Sequence, residues 1–273
     1  MLIKNIEKRN EMKLIFIRHG EPDYSNDSLT ENGKIEAELL SKRLSDWKVT
    51  EFFVSPQGRA KETAAPSLKV LNQSATELDF LHEFSYPVDD PVTGRHGVPW
   101  DFVPSDVADK PYNYELGDGF LKNPALRKNP DIARMYPKVI NGLDEIIEKY
   151  GYKRSGLYYL RKDGRQRFLK STVGEGGQIR DNGPHDEDEP VLVFFCHLGI
   201  TCLMLSHILN IPFETLAHGV FLPPTSVTVV STEERWENQV SFRIELMGCT
   251  RHLYEGGQKI SPAGFFASPF QEL

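Results

Sequence analysis

Short apolar segments that stop abruptly at polar residues are the feature of this chain that most constrains its fold. Residues 13–18 (KLIFIR), 51–55 (EFFVS) and 191–196 (VLVFFC) are apolar, rich in branched or aromatic side chains, and too short for buried helices, so each predicts a buried β-strand. A helical pattern follows each one. After the first, Thr30 can cap a helix whose apolar residues recur every three or four positions up to Trp47. Because strands and helices alternate, we predict a mostly parallel sheet with helices on both faces.

Polar residues suited to phosphate chemistry stand where these predicted strands end. In open α/β sheets, ligands bind beyond the carboxyl ends of the strands. Guanidinium groups match phosphate oxygens with paired N–H donors, and a neutral imidazole can attack phosphorus. A second, charged imidazole can bind oxygens that gain charge in the transition state, and a glycine lets the backbone approach a ligand closely. The residues at these ends are Arg18, His19, Gly20, Ser55 with the nearby Arg59, and His197.

A departing alkoxide also needs a proton donor, and Glu83 in LHEF (81–84) is the candidate. Burial raises the pKa of a carboxyl group, so that it can act as an acid near neutral pH, whereas nearby arginines lower it. Taken singly, each of these residues also fits an ordinary surface or core position. Their coincidence at the strand ends favours one anion-binding site, and this site needs no metal because its fixed cations supply the electrostatic stabilisation.

Charge and cysteine content limit the classes of function. A net charge of −7 and a pI of about 5.7 argue against a general nucleic-acid binder, which needs a basic face. They leave room for a small anion in a locally positive pocket. The three cysteines show no metal-ligand spacing, and an odd, sparse count fits a reducing compartment. Without a signal-peptide core or an apolar stretch of roughly 20 residues, we expect a cytoplasmic protein with no membrane contact and no cofactor.

The strand–helix pattern is interrupted in the middle of the chain. We predict an α/β core made of residues 1–83 and 191–273, with residues 84–190 as a cap or insertion over the active end of the sheet. Inside this insertion, an apolar stripe predicts a helix over about residues 131–150. The stretch GLYYLRKDGRQRFLK predicts a β-hairpin that turns at Asp163-Gly164.

The segment 261–273 (SPAGFFASPFQEL) is unusually apolar. We expect it to pack either on the body of the protein or on a partner, which leaves a homo-oligomer open as an alternative to a monomer.

Five motifs in this order and spacing resemble the histidine phosphatase superfamily, the phosphoglycerate-mutase-like group that carries an Arg-His-Gly motif. They are FIRHGEPD, LTENGKIEAELLSKRL, FFVSPQGRAKETAAP, LHEF and VFFCHLGIT, and the resemblance covers about residues 13–83 and 191–231. It implies a three-layer α/β/α sandwich with an inserted cap. It also implies roles: His19 as the phosphorylated nucleophile, Arg18 and Arg59 as phosphate-binding arginines, His197 as the second histidine of the phosphate pocket, and Glu83 as the proton donor.

The sequence departs from the family pattern directly after Arg-His-Gly. Where the family usually has Thr and then Asn, this chain has Pro22-Asp23-Tyr24 and then Ser25 and Asn26. Ser25 or Asn26 is therefore a candidate for the polar contact to phosphate. Leu198 replaces a glycine of the usual His-Gly-Gly, although its backbone N–H can still face the phosphate.

A second departure concerns the reaction. The true mutases have Arg-x-Tyr-Gly after the acidic residue, whereas Glu83 is followed by residues 84–87 (FSYP). The missing arginine favours a metal-independent phosphatase that acts on a small phosphorylated metabolite through a phosphohistidine. The alternatives are a phosphoglycerate-mutase-like phosphomutase and a catalytically weak phospho-ligand-binding protein on the same fold.

Overall fold

The computed structural model describes residues 12–162, 189–236 and 238–271. Within these residues the helices surround one large sheet, and two pairs of very short strands lie outside it. The strands are β1 (Lys13–Arg18), β2 (Pro22–Asp23), β3 (Ser28–Leu29), β4 (Glu51–Val54), β5 (Ala75–Glu77), β6 (Val88–Asp89), β7 (His96–Gly97), β8 (Tyr152–Ser155), β9 (Tyr158–Arg161), β10 (Val191–Cys196), β11 (Val227–Trp236) and β12 (Gln239–Cys249).

The α-helices differ widely in length, from five to 20 residues. They are α1 (Glu31–Leu44), α2 (Gly58–Leu71), α3 (Pro104–Ala108), α4 (Pro130–Lys149), α5 (Leu198–Leu209), α6 (Phe213–Gly219) and α7 (Arg251–Glu255). Short 3-10 helices lie at Asp79–Leu81, Pro99–Asp101, Pro111–Tyr114, Gly119–Lys122 and Leu126–Lys128.

The main sheet has the strand order β5-β4-β10-β1-β11-β12-β9-β8. Strands β5, β4, β10 and β1 are parallel neighbours, and the remaining pairs are antiparallel. Six of the eight strands therefore run in the same direction, all except β11 and β9. The expected mostly parallel sheet is confirmed, with an antiparallel extension on one side.

Helices cover both faces of the sheet, and the alternating side chains of β1 show how. Ile15 and Ile17 pack in a core cluster with residues of α1 and α2, whereas Leu14 and Phe16 pack with residues of α4 and α5. Successive side chains of a strand point to opposite faces, so one short strand contributes to both cores. The three-layer α/β/α arrangement expected from the sequence is confirmed.

A hairpin that was not predicted precedes the one expected from the sequence. It is formed by β8 and β9 and turns at 156–157, ahead of the turn predicted at 163–164. The predicted turn itself lies outside the described residues. Strand β9 pairs with β8 on one side and with β12 on the other. The turn predicted at 163–164 stays a prediction.

The region predicted as an insertion contributes to both the sheet and a cover of short elements. Its β8 and β9 extend the main sheet, and α4 packs against it from one face. Its early aromatic residues form part of the core: Phe84 and Phe120 are buried and contact each other and Phe213. The boundary between core and cap stays a prediction. No helix among the described residues has both the length and the apolar character required to cross a bilayer.

The loop after β1 lies directly on the first turn of α1. Thr30 caps α1 by accepting the N–H of Gly33 at 3.0 Å, as the sequence predicts. A side chain at Gly20 would place its Cβ 2.8 Å from the Gly33 carbonyl oxygen, and one at Gly33 would lie 2.3 Å from the Glu21 carbonyl oxygen. We had expected Gly20 to allow close approach of a ligand. The structure shows that it allows close approach of its own loop to α1.

We predict that Gly33→Ala destabilises the protein by about 1–3 kcal/mol, because the added methyl group forces the loop and α1 apart. The control is Gly219→Ala at the end of α6, where a Cβ meets nothing within 4 Å. That change should be neutral or stabilise by up to about 1 kcal/mol through helix propensity. Urea denaturation of both variants measures the difference, and equal stabilities would contradict the predicted clash.

Candidate active site

The register of three parallel strands brings the predicted site residues together. Arg18 pairs with Cys196 across β1 and β10, and Phe195 pairs with Val54 across β10 and β4. The three strands therefore end at nearly the same level. The residues that follow them are His19, His197 and Ser55, and two backbone hydrogen bonds, His19 N to Cys196 O and Ser55 N to Phe195 O, continue the ladder past the strand ends.

His19 is buried and its ring is held in one tautomer. Nδ1 lies 2.7 Å from the carbonyl oxygen of Gly20, which can only accept, so Nδ1 carries the hydrogen. In the neutral ring, Nε2 then has the lone pair. Burial, followed by the charges of Arg18 and Arg59, holds the pKa of His19 well below its usual value of 6.5. The ring is therefore neutral near pH 7 and can act as a nucleophile.

His197 lies beside it, with the two ring centres 5.0 Å apart. Its Nε2 is hydrogen-bonded to the Ser55 hydroxyl at 2.8 Å, and its Nδ1 is buried without a hydrogen-bond partner among the described residues. Burial and the neighbouring positive groups hold the pKa of His197 well below its usual value, so this histidine is also neutral in the structure as it stands. A bound anion would raise that pKa, since it favours the charged ring.

Arg18 is held by neutral groups. Its Nη1 donates to the carbonyl oxygen of Leu222 at 2.7 Å and its Nη2 to that of Ala263 at 2.8 Å. Nε is buried and has no hydrogen-bond partner within the described residues. Burial lowers the pKa of Arg18, but the pKa of an arginine is ordinarily so high that the guanidinium stays charged. Because carbonyl groups carry no net charge, the guanidinium is fixed in place without being neutralised.

Arg59 is paired with a carboxylate that the sequence analysis did not single out. Its Nη1 donates to Asp27 at 2.5 Å, and the other carboxylate oxygen of Asp27 accepts the N–H of Gly58 at 2.7 Å. The ring of Tyr24 lies 5.5 Å from the guanidinium carbon of Arg59. Thr63, one helical turn further along α2, donates to the Arg59 carbonyl and accepts the N–H of Gly20. Thr63 thus connects Arg59 to the loop that follows His19.

Three buried polar atoms of this site lack a hydrogen-bond partner in the part of the chain that the structure describes. They are Arg18 Nε, Arg59 Nε and His197 Nδ1. An unpaired buried polar group costs about 1–3 kcal/mol, and a cluster of them is rare away from ligand sites. The ring of His197 lies 5.0 Å from that of His19, and the charges of both arginines lower the pKa of His19. The arrangement can bind an oxyanion.

Glu83 lies at the N-terminus of α5 with its carboxylate fully engaged by backbone donors. Oε1 accepts from Ile200 at 3.0 Å and from Phe84 at 2.8 Å, and Oε2 accepts from Gly199 at 3.3 Å. These bonds and the charge of Arg18 lower the pKa, but burial is the largest effect and raises it above the usual 4.5. Glu83 therefore keeps its proton to a higher pH than an exposed glutamate does.

Trp100 shares the space next to Glu83. A Cβ at Gly199 would lie 2.8 Å from Glu83 Oε1 and 2.9 Å from Cη2 of the indole, so both side chains lie over this glycine. Trp100 comes from the 3-10 helix Pro99–Asp101, in the region predicted as a cap. An indole at this position borders the space beside the candidate proton donor, where the organic part of a phosphate ester would lie.

The remaining predicted phosphate contacts lie at the rim or at a helix end. Ser25 and Asn26 are exposed, and both donate to the carboxylate of Asp23, Ser25 through its backbone and Asn26 through its side chain. Leu198 is the first residue of α5, where backbone N–H groups have no partner within the helix. Phosphate binding by these three residues stays a prediction.

The site contains residues that sequence reasoning missed. Asp27 lies in the loop after Arg-His-Gly, and its acidic character next to a cationic site was the only signal available. The carbonyl of Ala263 comes from a segment about 245 residues away from Arg18 and carries no side-chain signal at all. Trp100 was one aromatic residue among many. Within residues 12–162, 189–236 and 238–271, no three His, Cys, Asp or Glu side chains are grouped as metal ligands.

Fold and site together define an α/β protein with two histidines and two arginines buried at the ends of its parallel strands. The sequence model of the histidine phosphatase superfamily (branch 1) matches residues 14–95, which include both arginines, His19 and Glu83. The resemblance to this superfamily is confirmed.

Individual proteins are similar to this chain in sequence or in structure. A probable phosphatase of Schizosaccharomyces pombe is 34% identical over a match that covers 22% of this chain and 32% of the relative, about a third of its length. Phosphoglycerate mutase from Bacillus anthracis has a similar structure, with a TM-score of 0.54 at 14% identity over 91% of this chain and 98% of that one. Phosphoserine phosphatase from Entamoeba histolytica, in complex with phosphoserine, gives a TM-score of 0.51 at 14% identity over 89% and 99%. These structural similarities show the fold.

A glutamate of α1 that contacts the loop after β1 is fully buried. Glu36 of α1 accepts the backbone N–H of Glu21 at 2.7 Å and the side-chain amide of Asn32 at 3.3 Å. Burial is the main cause that raises its pKa to about 7, and the charge of Glu21 adds to it. In the unfolded chain this carboxyl loses its proton near 4.5. Between these values the unfolded state releases the proton first, so folding stability falls as the pH rises.

We predict that Glu36→Gln removes this pH dependence. From pH 4.5 to pH 7.5, the free energy of unfolding of the natural protein should fall relative to that of Glu36→Gln by roughly 2–3 kcal/mol. Urea denaturation of both proteins at the two pH values measures the difference, and effects of other titrating groups cancel in the comparison. A constant difference between them at both pH values would show that Glu36 titrates normally.

Proposed function

We propose that this chain is a metal-independent phosphomonoesterase that forms a phosphohistidine on His19. The observation that carries the proposal is that three buried polar atoms of Arg18, Arg59 and His197 lack partners among the described residues, with the ring of His197 lying 5.0 Å from that of His19. A phosphate group has three peripheral oxygens and up to two negative charges. It would satisfy these atoms and compensate the charge of Arg18, whose Nη atoms donate to the carbonyl groups of Leu222 and Ala263.

The proposed first step transfers the phosphoryl group to the protein. Nε2 of His19 attacks phosphorus, the bond from phosphorus to the ester oxygen breaks, and the proton of Glu83 passes to that oxygen to release an alcohol. Arg18 and Arg59 bind the equatorial oxygens as their charge changes, and His197 donates to them when protonated. In the second step, water attacks phosphorus and gives a proton to Glu83. The bond from phosphorus to nitrogen then breaks, which restores neutral His19 and releases phosphate.

The pKa shifts of the two reacting groups support this assignment. The nucleophile must be neutral, and the pKa of His19 is lowered. The acid must be protonated, and the pKa of Glu83 is raised. Two titratable groups whose environments move their pKa values in these opposite directions are typical of a nucleophile and acid pair. We place the substrate among small phosphorylated metabolites, because Trp100 and the region around it border the site closely.

We predict that His19→Ala lowers hydrolysis of p-nitrophenyl phosphate by at least about 10³-fold, because no other group replaces the nucleophile. A chelator such as EDTA should leave the activity of the natural protein unchanged. The matched control is His96→Ala, since His96 is exposed and pairs with Asp89. Full activity of His19→Ala, or loss of activity with EDTA, would end the proposed mechanism.

Product analysis and a binding measurement separate the alternatives. Free phosphate released from a phosphorylated sugar or glycerate supports the phosphatase, whereas an isomer of the substrate supports a phosphomutase. Binding of vanadate without turnover of any phosphate ester supports a phospho-ligand-binding protein.

We predict that Glu83→Gln acts according to the leaving group. Loss of the proton donor should slow hydrolysis of an alkyl phosphate by about 10²–10⁴-fold and that of p-nitrophenyl phosphate, whose leaving group needs no proton, much less. In the natural protein, kcat for the alkyl ester should fall as the pH rises through the raised pKa of Glu83, above 4.5. On the acid side it should persist below 6.5, because the pKa of His19 is lowered. Equal losses for both esters would exclude Glu83 as the acid.

A further inference from the structure

We propose that residues 260–271, here called the Arg18-binding loop, position Arg18 for phosphate. This proposal rests on the proposed function and adds to it a segment that lies outside the five sequence motifs and outside the matched residues 14–95. The loop would act through Arg18 and would not itself touch the reacting atoms.

The direct contact is a backbone hydrogen bond. The carbonyl oxygen of Ala263 accepts from Nη2 of Arg18 at 2.8 Å, opposite the Leu222 carbonyl that accepts from Nη1. Two acceptors fix the rotation of the guanidinium plane, since its five N–H donors lie in a rigid fork. The N–H of Nε has no partner among the described residues and is left for a ligand. Without the Ala263 carbonyl, Nη2 would lose this hydrogen bond and the guanidinium plane would be held less firmly.

Aromatic side chains hold the loop against Arg18. Phe265 stacks on Phe221 with ring centres 4.5 Å apart and an angle of 15° between the planes. Phe221 in turn lies under the guanidinium, with its ring centre 5.8 Å from Cζ of Arg18. A Cβ at Gly264, which has a φ of +81°, would lie 2.8 Å from Arg18 Nη2. Glycine at this position therefore lets the backbone of the loop lie directly against the guanidinium of Arg18.

The loop is a closed unit, which explains how an exposed segment can hold a buried residue. The side chain of Gln271 donates to the carbonyl of Ile260 at 3.1 Å and accepts its N–H at 2.9 Å, so the two ends of the loop are joined. Just before it, Gln258 is hydrogen-bonded to Asn32 at the start of α1. Compact loops of this size with joined ends hold their shape through such internal contacts.

The test compares two neighbouring phenylalanines. Phe265→Ala removes the stacking contact that seats the loop, whereas Phe266 is 80% exposed, so that Phe266→Ala serves as the matched control. We expect Phe265→Ala to weaken inhibition by inorganic phosphate and to raise KM by about tenfold each, the size of one hydrogen bond to a charged group. Phe266→Ala should change neither. Both variants should unfold within a few degrees of the natural protein, because Phe265 is itself 40% exposed.

A double-mutant cycle shows whether the loop acts through Arg18. In an Arg18→Lys background the fork is absent, so Phe265→Ala should have little further effect on phosphate affinity. An equal effect in both backgrounds would overturn the inference, as would phosphate affinities of Phe265→Ala and Phe266→Ala that match the natural protein. Phe265→Leu, which keeps apolar contact, should lie between the two alanine variants. If the natural protein neither binds phosphate nor hydrolyses p-nitrophenyl phosphate, the proposed function itself fails, which is a distinguishable result.

Discussion

The pairing register of β1, β10 and β4 is the constraint on which the rest of the site depends. Each strand is buried on both faces, so a slip by one residue would exchange the two cores that Ile15 and Leu14 occupy. The hydrophobic pattern therefore determines where the strands end relative to one another. Because the ends coincide, His19 and His197 come within contact of each other although they are 178 residues apart in the chain.

The electrostatics of the site follow from how its cations are held. Asp27 partly compensates Arg59, whereas Arg18 is fixed by carbonyl groups that leave its charge intact. That charge, together with burial, keeps His19 neutral, and it opposes but does not overcome the effect of burial on Glu83. The guanidinium of Arg18 thus helps to keep His19 neutral, and in the proposed function it would also bind the substrate anion.

Much of the fold could be predicted from sequence because its signals are local. The strand ending at Arg18 and the helix capped by Thr30 are each specified within a few residues by hydrophobic pattern and capping chemistry. The turn at residues 156–157 was not predicted, because the pairing of β9 with β8 and β12 is a contact between strands that local turn chemistry does not specify. Turn chemistry alone does not state which edge of a strand is free.

The sequence by itself determined the residue types of the site, their order, and their positions at strand ends, because these follow from patterns that each strand and helix carries locally. Only the tertiary structure decided what surrounds them. The Asp27 partner of Arg59, the indole beside Glu83 and the Ala263 carbonyl on Arg18 are contacts between segments distant in the chain or between backbone atoms. Such contacts depend on three-dimensional packing, and a carbonyl group is the same at every position of the sequence.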